Sequence, residues 1–104
     1  MELEICTNSY NSALAALQGG ADRIELCVGL AEGGLTPSMG LIKQVAQLSG
    51  LKKHVLIRPR GGDFCYTPDE VAIMETDIRL LKEEGIDGVV IGALNSDGTI
   101  DLPT

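Results

Sequence analysis

The sequence predicts an α/β fold of parallel strands joined by helical crossovers, with a sheet whose polar face belongs inside a barrel. Two observations carry this. Short apolar runs alternate with helical segments in the order βαβαβαβ, a pattern that parallel strands with right-handed crossovers produce. Within the first three runs, polar and aliphatic residues also alternate. Glu4 and Cys6 oppose Leu3 and Ile5; Arg23, Glu25 and Cys27 oppose Ile24 and Leu26; His54, Leu56 and Arg58 oppose Val55 and Ile57. A doubly wound sheet buries both faces and reads as near-continuous apolar runs, so a face collecting carboxylates, thiols and an arginine fits a barrel interior better.

Each element has a local cause. Leu3 to Cys6 reads as the first strand, and Ser9 caps a helix whose Ala13, Leu14, Ala16 and Leu17 form one apolar face before Gly19 and Gly20 stop it. Arg23 to Cys27 is the second strand. Thr36-Pro37 offers a cap and a first-turn proline for a helix carrying Leu41, Ile42, Val45, Ala46 and Leu48. His54 to Arg58 is the third strand, which places His54 at its start, away from the loop face, in a surface role. Thr67-Pro68-Asp69-Glu70 combines an N1 proline with a capping box ahead of Val71, Met74, Ile78 and Leu81. Gly88 to Gly92 is the fourth strand, and Asp97-Gly98 a turn.

Composition bounds the function. A chain of 104 residues with 44% hydrophobic content forms one domain over residues 1–104, and 3% aromatic content leaves its core to aliphatic side chains. A formal charge of −7 disfavours nucleic acid and anionic membrane as partners. Met1-Glu2-Leu3-Glu4 lacks the basic start of a signal peptide and no apolar run approaches membrane-spanning length, so the expected location is the cytoplasm. The cysteines Cys6, Cys27 and Cys65 show no zinc or redox spacing and are expected as reduced thiols, with Cys65 exposed in its loop.

The most informative run is Ile57 to Tyr66, IRPRGGDFCY. It brings Arg58 and Arg60 to the exit of a buried strand and follows them with a glycine turn. Arginine is costly to bury unpaired, so the pair is expected to face a carboxylate, a phosphate or an anionic ligand, with Glu4 or Glu25 as an acid or base beside it. The alternative is an internal network in which Glu4, Glu25 and Arg58 neutralise one another. Asp63 either caps its own turn or holds Arg60, the turn role being preferred.

The motifs LEICTNS (Leu3 to Ser9), GGADRIELC (Gly19 to Cys27), LAEGGLTPS (Leu30 to Ser38), IRPRGGDFCY and GVVIGAL (Gly88 to Leu94), in this order, resemble those of the CutC family, described as copper homeostasis factors. The resemblance implies a (β/α)₈ barrel, of the TIM type, with the four strands here corresponding to its first half. Such a barrel takes about 250 residues. A half barrel leaves open edges, so self-association or pairing with the missing half is expected. The resemblance also implies a role in copper handling. Cys6 and Cys27, on neighbouring strands, are the candidate soft thiolates for Cu(I), the alternative being that both are small buried hydrophobes. A second functional reading is an enzyme or binding protein for a small anionic metabolite, using Arg58 and Arg60 with Glu25. A third is an inactive fragment or assembly module.

Overall fold

A computed structural model describes residues 3–91. The strands are β1 (Glu4–Thr7), β2 (Arg23–Leu26), β3 (Lys52–Leu56) and β4 (Gly88–Val90); the helices are α1 (Tyr10–Gln18), α2 (Met39–Ala46) and α3 (Pro68–Glu83). The strands form one sheet in the order β1-β2-β3-β4, every neighbouring pair parallel. The predicted α/β architecture of successive parallel (β/α) units is therefore present. The expected Asp97-Gly98 turn and the end of the fourth strand at Gly92 lie outside the described residues.

The sheet has two unlike faces because the side-chain period of a strand is two. Ile24, Leu26, Val55 and Ile57 point to the helices and are at most 1% exposed. They meet Ala13 and Ala16 of α1, Ile42 and Val45 of α2, and Met74 and Leu81 of α3 in one cluster. Each large aliphatic side chain buried there contributes about 1.5–3 kcal/mol. Lys53 falls on the same side and is only 7% exposed. Its Nζ donates to the carbonyl of Ala46 at 3.1 Å, a cation placed at the negative end of α2.

On the opposite, inner face, the register sets Glu4 beside Arg23, and Cys6 beside Glu25, His54 and Gly88 in one row. His54 is thus a mid-strand residue, half-buried, not a surface residue at a strand start. The difference arises because β3 begins two residues earlier than the apolar run suggests. Lys53 donates its backbone N–H to the Asp87 carboxylate at 2.8 Å and accepts from the Asp87 N–H at 3.0 Å, which pins the early part of the strand.

Two helix starts follow the sequence. Ser9 accepts from the Ser12 N–H at 3.0 Å, and Thr67 with Glu70 forms a full capping box. The start of α2 differs: its cap is Ser38, which accepts from the Leu41 N–H at 3.3 Å. Thr36 is unavailable for that role because β3 holds it. Its hydroxyl accepts from the Arg58 N–H at 2.7 Å, and its own N–H donates to the Arg58 carbonyl at 3.0 Å.

Candidate functional site

The sulfurs of Cys6 and Cys27 lie 3.3 Å apart on the inner face, a thiol contact between β1 and the end of β2. Register places Cys27 one inward-facing position beyond Glu25, the neighbour of Cys6, so the two thiols meet diagonally. They differ in access: Cys6 is exposed, whereas Cys27 is 2% exposed. Burial pushes the Cys27 thiol up to about 12, and the Cys6 sulfur and the Glu25 charge add to the rise. The pair is the whole sulfur donor set here. Among the described residues, no group of three or more His, Cys, Asp or Glu side chains is placed to hold a metal ion.

The cover over Cys27 comes from the loop between β2 and α2. A one-turn 3₁₀ segment at Leu30–Glu32 and an antiparallel bridge between Val28 and Leu35 fold this loop back over the strand ends. Gly34 sits at its inner edge, where a Cβ would fall 3.0 Å from Leu56 Cδ2 and 3.9 Å from Cys27 Sγ. Arg58 fastens the cover. Its Nη1 donates to the Gly34 carbonyl at 3.1 Å, its Nη2 to the Gly62 carbonyl at 2.9 Å, and its guanidinium lies 4.8 Å from the Phe64 ring centroid.

Arg60 is used in the same way one loop further on. It pairs with Glu70 and with Asp63, donates to the carbonyls of Gly61, Asp63 and Cys65, and stacks at 5.0 Å on Tyr66. Asp63 fills both roles considered for it, since it also accepts from the Cys65 N–H at 3.1 Å. Cys65 is half-buried, not exposed as expected. The Arg60 contacts lower the Glu70 carboxyl below its usual value, its hydrogen bond with Arg60 being the largest cause, followed by the Thr67 N–H.

Of the predicted site residues, the structure brings Cys6, Cys27 and Glu25 together on the inner face. Arg58 and Arg60 lie at the strand exit and brace the loops above it. Glu4 is at the other end, bound by Arg23 through its Nε at 2.9 Å and through Nη2. The alternative network among Glu4, Glu25 and Arg58 is not formed among the described residues: register, which alternation alone leaves open, sets Arg23 beside Glu4. His54 is the inner-face residue that the sequence reading set aside. Its imidazole lies against Gly88, where a Cβ would meet Nε2 at 3.1 Å.

Known proteins are similar to this chain in sequence and in fold. A copper homeostasis protein cutC homolog from Homo sapiens is 56% identical over 99 residues, 95% of this chain and 36% of that protein. A family protein CutC from Bacteroides thetaiotaomicron is 53% identical over 103 residues, covering 98% and 41% of the two chains. The crystal structure of a CutC protein from Streptococcus agalactiae superposes with a TM-score of 0.90 at 40% identity, over 97% of this chain and 50% of that one. The chain thus spans about two fifths of the length of the curated relatives it matches. With the CutC family profile matching residues 1–104 and the solved fold agreeing over nearly all of the chain, this protein belongs to the CutC family.

Proposed function

We propose that this chain serves in copper homeostasis by holding Cu(I) between the sulfurs of Cys6 and Cys27. The observation that carries the reading is their 3.3 Å contact on the inner face. Soft thiolates select Cu(I), and a relative of 56% identity is named a copper homeostasis protein. A linear two-sulfur site with bonds of roughly 2.3 Å would need sulfurs about 4.6 Å apart, so Cys6 moves outward by about 1 Å on binding. β1 permits that, since among the described residues it pairs on one side only. Metal capture displaces the thiol protons, and each proton released raises affinity about tenfold per pH unit. A cytosolic setting belongs to the reading, because it keeps such a pair reduced. So does association of further strands, from a second copy or a longer chain, with the edges of β1 and β4 that are unpaired among the described residues, which sedimentation at micromolar concentration would register as a species larger than a monomer.

Anaerobic Cu(I) titration against a competing chelator tests the reading. The tight site is expected to vanish in the Cys6→Ser, Cys27→Ser double variant, and unchanged affinity would overturn it. The reading of an anionic metabolite held by Arg58 and Arg60 with Glu25 has less support, because both guanidiniums already spend donors on acceptors within the chain.

A further inference from the structure

Without the outward movement of Cys6 that a linear metal site requires, the spacing of the two sulfurs suits a second ligand chemistry. With sulfur bonds of roughly 2.3 Å, sulfurs held at 3.3 Å subtend an angle of about 90° at the atom between them. That is the geometry of a pyramidal, three-coordinate p-block centre, in which bonds lie near right angles. It is far from the straight line that two-coordinate Cu(I) adopts. We propose that Cys6 and Cys27 form a chelating site for monosubstituted trivalent arsenicals, which their sulfurs accept without moving apart.

The chemistry balances as a condensation. An organoarsenic(III) dihydroxide, R–As(OH)₂, reacts with the two thiols to form two As–S bonds. Two S–H and two As–O bonds break, and two waters leave. Arsenic stays trivalent, so no oxidant or reductant is needed. The organic group fills the third position on arsenic, so two sulfurs complete the site, in keeping with a donor set that converges as a pair. Access sets the order of events. The exposed Cys6 reacts first, and the buried Cys27 closes the ring beneath the loop at Gly34. Cys65, alone in its loop, can give only a single As–S bond, which a monothiol reverses.

The experiment uses phenylarsine oxide with the full reduced chain, read by intact-mass spectrometry after challenge with excess glutathione and then with a dithiol. The expected result is one arsenical per chain, surviving glutathione, released by the dithiol, and leaving at least ~10²-fold more slowly than from either single-cysteine variant. Cys65→Ser retains the adduct; Cys6→Ser and Cys27→Ser lose it. Circular dichroism of each variant separates loss of the site from loss of the fold. If either site variant turns out unfolded, wild-type protein in which the exposed Cys6 has first been alkylated with iodoacetamide takes its place and must also fail to hold the arsenical. An adduct that persists without Cys27, or that glutathione strips from the wild type, overturns the proposal. A chelated arsenical beside absent Cu(I) affinity would remove the copper reading alone, and the reverse result would remove this one.

Discussion

Arg58 donates to the carbonyl of Gly34 at 3.1 Å, and through that bond a side chain at the exit of β3 holds down the loop that covers Cys27. The same guanidinium binds the Gly62 carbonyl, so the loops following β2 and β3 share one fastening. Replacing Arg58 with Ala strands both acceptors and removes the stack on Phe64, at an expected cost of about 2–3 kcal/mol in urea denaturation. Labelling of Cys27 by a thiol reagent is expected to speed up in the same variant. Arg58→Lys is expected to recover only part of either effect, because an ammonium lacks the planar fork that reaches both loops.

Gly34 has a backbone φ of +101° and stands 3.0 Å, measured from an ideal Cβ, from Leu56 Cδ2. Gly34→Ala therefore combines backbone strain with a clash, and is expected to lower stability by about 1–3 kcal/mol. Gly20 provides the comparison, since its φ of +88° opens on empty space. There Ala is expected to cost only the conformational part, about 1–2 kcal/mol. Thermal denaturation of the two variants side by side would reveal the difference.

Glu70 couples the cap of α3 to the Arg60 loop, and its carboxyl sits below the usual value for that reason. A folded-state value below the unfolded one means the contribution is present above the unfolded pKa of about 4.3 and is lost as pH falls through the folded value. Glu70→Gln is expected to flatten the acid limb of the stability curve, as measured by denaturation between neutral pH and acid. An unchanged acid limb would show that the pair with Arg60 is not populated in solution.

Cys27 titrates in the opposite sense. Its thiol is pushed up to about 12, so the folded state favours the neutral form; this contribution is complete below the ordinary thiol pKa and is lost as pH rises above it toward about 12. Stability is therefore expected to fall on the alkaline side, less so in Cys27→Ala. In mass-resolved alkylation near neutral pH, Cys6 is expected to react well before Cys27. Equal rates would contradict the cover formed by the loop at Gly34.

Leu26 is fully buried at the centre of the helix-side core. Leu26→Ala is expected to cost about 2–5 kcal/mol in urea denaturation, the range for a truncated buried leucine.

The helix starts at Ser9 and Thr67 were legible because a cap is a contact between residues three apart, which sequence spacing records directly. The start of α2 was not, since Thr36 is claimed by the backbone of Arg58, a residue 22 positions away. The inner face followed the same division. Alternation assigned Glu4, Cys6, Glu25 and Cys27 to one side, yet it carried no information on which inner-face residue of one strand meets which of the next.

The sequence by itself determined the order of parallel (β/α) units and the two-sided character of the sheet, because hydrophobic period and capping chemistry act over a few residues. Register and loop closure decided the rest. Register paired Glu4 with Arg23, set Cys6 in diagonal contact with Cys27 and put His54 beside Glu25. Loop closure turned Arg58 and Arg60 inward onto carbonyls and carboxylates. Both depend on contacts between residues far apart in the chain, whose energies no local pattern encodes.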